Sequence, residues 1–96
     1  MSLTIHLYYT GADGAARQFA QEMIESGIVE RIRQQAGNER YAYFFPMEDP
    51  ETVLLIDRWT DQQALDLHHK SEMMKEVAAL REKYRLRLRA ERYIDG

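Results

Sequence analysis

The sequence contains no cysteine, and only two prolines and five glycines occur among its 96 residues. The absence of cysteine excludes a disulfide framework, a thiolate metal site and a catalytic thiol. So little proline and glycine, together with 45% hydrophobic residues, predicts a folded chain rather than a disordered one. The length fits a single domain over residues 1–96, since domains usually contain about 100–150 residues.

The sequence also lacks an excess of positive charge and a long hydrophobic run. The net charge of −3 argues against nucleic acid or an anionic membrane as the partner. No stretch approaches the ~20 apolar residues of a membrane span. The N-terminal stretch, MSLTIHLYYTGADG, has no basic start followed by an apolar core, as a signal peptide would. We therefore expect a cytoplasmic protein with neither nucleic acid nor membrane as a partner.

The first half of the chain predicts a strand followed by helices. Residues 3–10, LTIHLYYT, alternate between apolar and mixed positions as a strand does. GADG follows, with Asp13 as the predicted N-cap of a helix. A second helical segment, IVERIRQQ, is predicted to end at Gly37 as its C′ residue. The first helix presents an apolar stripe at helical spacing, formed by Ala16, Phe19, Ala20 and Met23.

The second half predicts a hairpin, a broken helix and a last strand. NERYAYFFP and TVLLIDRW are two strands joined by the turn MEDPE. A helix is expected over residues 60–70, with a capping box formed by Thr60 and Gln63. Ser71 is expected to cap a second helical piece that reaches about Tyr84. The strictly alternating RLRLRAERYI predicts a strand whose arginine face is solvated; these arginines are Arg85, Arg87 and Arg89.

The predicted order β-α-β-β-α-β indicates an α+β protein with the ferredoxin-like fold. This fold is a four-stranded antiparallel sheet with its helices on one face. TVLLIDRW is apolar on both faces, although the helices of one chain cover only one of them. We therefore predict a homodimer formed through the open face of the sheet.

Two of the three histidines lie side by side in ALDLHHKS, residues 64–71. Consecutive helical residues point about 100° apart, so the two imidazoles lie in different environments. His68 falls within the apolar arc of the helix, and His69 falls at its solvent-facing rim. His68 is either a core histidine bonded to a backbone carbonyl or a residue that faces a pocket and takes part in chemistry.

Residues 36–71 strongly resemble the antibiotic biosynthesis monooxygenase superfamily of dimeric α+β barrels. Members commonly have Gly-Asn, a Tyr or Phe, an Asp-Pro turn, a strand, and then W-x-x-x-x-A-L/F-x-x-H-x-x-S. The matching positions are Gly37, Asn38, Tyr41, Asp49, Pro50, Trp59, Ala64, Leu65, His68 and Ser71. Outside this stretch, the resemblance rests on the order and length of the elements.

The resemblance implies a monooxygenase that uses no metal, haem or flavin. Its substrate would be a small electron-rich aromatic molecule, such as a phenol, quinol or anthrone, that reacts with dioxygen once it is deprotonated. His68 is then the candidate base, because its ordinary pKa of ~6.5 lies near working pH. Asn38, Tyr41 and Trp59 are candidate hydrogen-bond donors to the anion. Alternatively, Asn38 only continues a turn, and Tyr41 and Trp59 are aromatic residues of the core or the dimer interface.

The chain departs from its relatives at two positions. Many members carry a second histidine two residues after the serine, where this chain has Met73. Haem-degrading relatives bind iron through a histidine at the position of Ala78, so haem degradation is not expected. The remaining histidine, His6, has no partner at metal-ligand spacing, and no metal or other cofactor is predicted. Two alternatives stay open, namely a metabolite isomerase or tautomerase and a non-catalytic dimeric ligand-binding module.

Overall fold

The computed structural model describes residues 2–94 as four strands and four helices. The strands are β1 (Leu3–Thr10), β2 (Asn38–Phe44), β3 (Thr52–Trp59) and β4 (Arg87–Ile94). The helices are α1 (Ala15–Glu25), α2 (Ile28–Arg33), α3 (Gln62–His69) and α4 (Glu72–Lys83). Within the described part of the chain, no helix has the length and hydrophobicity needed to cross a membrane.

The strands form one antiparallel sheet in the order β2-β3-β1-β4. The ferredoxin-like α+β fold predicted from the sequence is thereby confirmed. Paired residues of neighbouring strands project from the same face. One row across the sheet runs from Tyr41 through Asp57 and Ile5 to Arg92, and this row passes through the candidate site described below.

The hydrophobic core lies between the helices and one face of the sheet. Alternation along β1 and β3 directs every second side chain toward the helices. Helix α1 contributes the predicted stripe of Ala16, Phe19, Ala20 and Met23, all of which are buried. The largest fully buried side chains are Trp59, Phe19, Met23, Ile32, Leu55, Leu65 and Val53.

The predicted caps of α1 and α3 are wrong. Asp13 adopts a left-handed conformation with φ of 55°, and the N-cap of α1 is Gly14. Helix α3 begins one residue later than the predicted capping box requires. Its N-cap is Asp61, whose Oδ1 accepts a hydrogen bond from the backbone N–H of Ala64 at 2.9 Å. A carboxylate satisfies a free N–H at a helix start at least as well as a threonine hydroxyl.

The break at Ser71 is confirmed, although its side chain does not cap α4. The Ser71 hydroxyl donates instead to the carbonyl of His68 at 2.7 Å, which ties the end of α3 to the start of α4. The last strand begins at Arg87 rather than Arg85. Arg85 has a φ of 53° and belongs to the turn before β4. Of the three predicted arginines, only Arg87 and Arg89 therefore lie on the strand.

Gly37 has a role that differs from the predicted helix C′ position. Helix α2 ends at Arg33, and Gly37 lies directly before β2 with φ of 86°. Its carbonyl accepts a hydrogen bond from the Thr60 N–H at 2.8 Å. A Cβ at this position would lie 2.5 Å from the Cβ of Ala64. Glycine is therefore needed both for the left-handed backbone and for the close approach to α3.

Candidate active site

A cavity of about 360 Å³ lies between the helix-facing side of the sheet and α3. Strands β1, β3 and β4 form its floor, and its walls combine apolar side chains with a few polar ones. The lining residues are Ile5, Leu7, Asp57, Gln62, Leu65, His69, Ala90 and Arg92. Two larger depressions, of about 480 and 520 Å³, have no buried ionisable side chain in their linings. A mainly apolar cavity with a few convergent polar groups is typical of a small-molecule site.

Asp57 is the buried carboxyl of this cavity. It occupies the same face of β3 as Leu55 and Trp59 and is only 3% exposed. Burial raises the pKa of Asp57 from its ordinary value of 3.8 to about 7, against a smaller lowering by the hydrogen bond from Trp59. Loss of hydration penalises the carboxylate. Both protonation states of Asp57 are consequently populated at neutral pH, as a group that accepts and returns protons requires.

Trp59 connects Asp57 to His68. The indole N–H of Trp59 donates to Oδ1 of Asp57 at 2.6 Å. The indole ring lies on the His68 imidazole, with ring centroids 4.6 Å apart and ring planes 29° from parallel. Trp59 is completely buried. It therefore fixes the orientation of the carboxyl group that faces the cavity.

His68 is buried, and its polar contact is to a side chain rather than to a backbone carbonyl. Its Nδ1 lies 2.7 Å from Oε1 of Gln35, in the segment that follows α2. Burial, followed by the neighbouring His69, lowers the pKa of His68 to about 4. The imidazole is thus neutral at physiological pH. His68 is not among the residues that line the 360 Å³ cavity.

Tyr41 belongs to the same aromatic cluster as Trp59 and His68. Its ring meets the His68 ring edge-on, with centroids 6.3 Å apart. Burial raises the pKa values of Tyr41, of Tyr43 and of Tyr9 on β1 well above the ordinary value of 10. These phenols stay protonated at any physiological pH, so they can donate hydrogen bonds but cannot serve as bases there.

Asn38 is the strand partner of Trp59 across β2 and β3, but its side chain bonds to the backbone. Its side-chain amide donates to the carbonyls of Arg40 and Arg58, at 3.3 and 3.4 Å. These bonds span an irregularity in the pairing of β2 with β3, where a bulge leaves backbone groups without ladder partners. Asn38 and Tyr41 both line a separate depression of about 330 Å³. The structure thus brings the rings of Tyr41, Trp59 and His68 into contact, with Asn38 beside Trp59 and bonded to the backbone.

The four polar residues of the cavity were not predicted from the sequence. They are Asp57, Gln62, His69 and Arg92. A signal exists for two of them, because Asp57 and Arg92 are charged residues at positions whose alternation points toward the helices. His69 was predicted to be a solvent-side residue. It is exposed, but it lies at the border of the cavity. Among residues 2–94, no group of three His, Cys, Asp or Glu side chains could hold a metal ion.

Comparisons with known proteins give one family and one fold. The sequence matches the family model of the antibiotic biosynthesis monooxygenases over residues 2–80. None of the curated proteins compared with this chain matches it. The structure is similar to that of SnoaB from Streptomyces nogalater, a cofactor-independent oxygenase, with a TM-score of 0.81 and 15% identity, covering 99% of this chain and 93% of SnoaB.

Two further solved structures have the same fold. PA3566 from Pseudomonas aeruginosa gives a TM-score of 0.80 at 23% identity, covering 99% of this chain and 94% of that protein. A conserved protein from Methanosarcina mazei Go1 gives a TM-score of 0.85 at 18% identity, covering 100% of this chain and 94% of that protein. Identities this low establish the fold alone, whereas the family follows from the sequence match. The resemblance found in residues 36–71 is confirmed, and the chain belongs to the antibiotic biosynthesis monooxygenase family.

Proposed function

We propose that this protein is a cofactor-independent monooxygenase that oxidises a small electron-rich aromatic or quinol-type substrate with dioxygen. The observation that carries the proposal is the Asp57 carboxyl, which is buried at the wall of a mainly apolar cavity and has a pKa of about 7. The Asp57 end of the cavity is shielded from water, as formation of a carbanion or phenolate beside that carboxyl requires. The description of SnoaB as a cofactor-independent oxygenase supports the same chemistry.

The reaction needs no external reductant. For an anthrone-type CH₂ group, a base first removes one proton, and the resulting carbanion transfers an electron to dioxygen. Recombination of the two radicals forms a C–O bond and gives a peroxide anion, which takes a proton back from the base. Removal of the second C–H proton then breaks the O–O bond and leaves a carbonyl and water. Four electrons leave the carbon, and dioxygen accepts four.

We assign the base role to Asp57, because Asp57 lines the cavity and its pKa lies near working pH. The sequence favoured His68 for this role, and His68 stays the competing candidate. Against it stand its absence from the cavity lining, its bond to Gln35 and its low pKa. In this scheme Trp59 and His68 position the carboxyl group, and Tyr41 packs against His68. Asn38 stabilises the β2–β3 irregularity, and its predicted role as a donor to the anion stays a prediction.

The test of the proposed function is oxygen uptake with a panel of anthrones and quinols. We expect one dioxygen consumed per substrate above the rate of a protein-free blank, which corrects for spontaneous oxidation. Labelled dioxygen should place one of its oxygen atoms in the product and the other in water. Conversion of a substrate without oxygen uptake would favour the isomerase or tautomerase instead. Saturable binding with no conversion would favour the ligand-binding module.

We also propose that two copies of the chain pair through the open face of the sheet. The helices lie on the other face, and apolar side chains of this open face are partly exposed, among them Leu54, Ile56 and Phe44. Tyr8 is covered on this face by the guanidinium of Arg89 at 4.1 Å. Sedimentation should therefore give about twice the monomer mass of 11.4 kDa. A monomeric mass at micromolar concentration would contradict the dimer.

A further inference from the structure

Arg92 is an exposed cation on the helix-facing side of the edge strand β4. It pairs with Ile5 across β1–β4, and Ile5 pairs with Asp57 across β1–β3. Arg92 and Asp57 therefore lie on one row with an apolar residue between them. Two interstrand spacings of ~4.8 Å place their backbones about 10 Å apart. Both residues line the 360 Å³ cavity, so the cavity has a carboxyl on one side and a guanidinium on the other.

No carboxylate neutralises this guanidinium within residues 2–94. Its side-chain partner there is the amide oxygen of Gln62, a neutral acceptor at the start of α3. The amide nitrogen of Gln62 in turn donates to Asp66 at 2.8 Å, which holds the amide oxygen toward Arg92. Other arginines of the chain contact carboxylates directly, as Arg31 contacts Glu76 at 2.9 Å and Arg89 contacts Glu91 at 3.1 Å. Arg92 thus keeps an available positive charge at the cavity.

The rest of the cavity favours a flat and largely apolar ligand. Its remaining walls include Ile5, Leu7, Leu65 and Ala90. The volume of about 360 Å³ is near the lower end of the ~300–1,000 Å³ typical of ligand sites. A flat aromatic molecule of two or three rings fits a cavity of this size. A planar guanidinium with several N–H donors matches the geometry of a carboxylate.

We propose that the ligand of this cavity is a small aromatic acid, whose carboxylate binds Arg92 while its opposite end lies beside Asp57. Gln62 holds the guanidinium in place before the ligand arrives, and His69 at the border can add a hydrogen bond. The proposal deepens the proposed function by naming a substrate class. It makes Arg92 the specificity-determining residue and leaves Asp57 to act on the part of the ligand that reacts.

The test is calorimetric binding under nitrogen of a matched pair of probes. The first probe is a hydroxynaphthoate with its hydroxyl and carboxylate at opposite ends of the ring system, and the second is the corresponding neutral carboxamide. We expect the wild-type protein to bind the acid at least about tenfold more tightly than the amide, as for a charge-assisted hydrogen bond. Arg92→Gln should remove this preference and leave the affinity for the amide within about twofold.

Arg87→Gln is the matched control, because it removes the same charge from the same strand on the opposite face of the sheet. This variant should keep the preference for the acid, and Arg92→Lys should keep part of it. Equal binding of the two probes by the wild-type protein would overturn the proposal, as would binding of neither. Loss of the preference in Arg87→Gln would also overturn it, since a general charge effect would then explain the result.

The binding test and the oxygen test can reject the ligand class and the monooxygenase independently of each other. Binding is measured without oxygen and without turnover. Binding of the acid that depends on Arg92, with no oxygen uptake on any substrate, would therefore sustain the ligand class and reject the monooxygenase. Oxygen uptake on neutral quinols, with no preference for acids in binding, would sustain the monooxygenase and reject the ligand class.

Discussion

Replacing Asp57 with asparagine is expected to lower kcat/KM for oxygen consumption by about 10²–10⁴-fold, the usual loss when a general base is removed. Asparagine has nearly the same shape as aspartate, and its amide oxygen can still accept the hydrogen bond from Trp59, so the fold should be preserved. Single-turnover oxygen uptake with the best substrate of the panel measures the effect, and circular dichroism checks the fold.

His68→Gln is the comparison that separates the two candidate bases. Glutamine keeps a polar group beside Gln35 and cannot accept a proton near neutral pH. If Asp57 is the base, this variant should lose no more than about tenfold, through looser positioning of Trp59. A loss in His68→Gln as large as that expected for Asp57→Asn, with Asp57→Asn nearly active, would assign the base to His68 and contradict our scheme.

The second large expected effect concerns the pH dependence of stability. The raised pKa of Asp57 means that, between pH 3.8 and about 7, the folded protein keeps a proton that the unfolded chain has released. The contribution of Asp57 to stability is therefore full below pH 3.8 and is lost as the pH rises to about 7. At about 1.4 kcal/mol per pH unit, the loss amounts to roughly 4 kcal/mol.

His68 changes the stability with pH in the opposite direction, over a pH range that overlaps that of Asp57. Its lowered pKa means that the unfolded chain binds a proton below pH 6.5 that the folded protein does not take up until about pH 4. Its contribution is present above pH 6.5 and is lost as the pH falls to about 4, a change of roughly 3 kcal/mol. In the wild-type protein, the changes of stability with pH that Asp57 and His68 contribute nearly cancel between about pH 4 and 6.5.

Replacing either Asp57 or His68 should reveal the pH dependence of stability that the other contributes. We expect the stability of Asp57→Asn, relative to the wild type, to increase by about 1.4 kcal/mol per pH unit between pH 4 and 6.5. The relative stability of His68→Gln should decrease with a similar slope over that range. Urea unfolding at several pH values measures both free energies. Variants whose stability runs parallel to that of the wild type would show that neither group has the shifted pKa.

The fold could be predicted from the sequence because its signals are local. Alternation in LTIHLYYT and the 3.6-residue stripe of Ala16, Phe19, Ala20 and Met23 determine which side of each element is buried. The caps were less predictable. Asp61 and Thr60 are adjacent residues with similar capping preferences, and the bond between Thr60 and Gly37 helps to decide between them.

The candidate site could be predicted only in part. The helical spacing of ALDLHHKS correctly placed His68 on the buried side of the helix and His69 at its exposed rim. It could not show that the inner position is packed against Trp59 and Gln35, whereas the rim position borders the cavity. Asp57 and Arg92 are 35 positions apart, and only the order of the strands places them on one row. Such juxtapositions depend on topology, which single-residue patterns do not contain.

The central claim is that the Asp57 carboxylate accepts the proton of the substrate. The pH dependence of kcat/KM for oxygen consumption tests it most directly, with a substrate that does not itself titrate over the range used. We predict an activity that rises through an apparent pKa of about 7 and levels off above it. This rise should persist in His69→Gln, which removes the other histidine near the cavity, and should be absent in Asp57→Asn. A rise centred near pH 4, or one near pH 7 that survives in Asp57→Asn, would contradict the account.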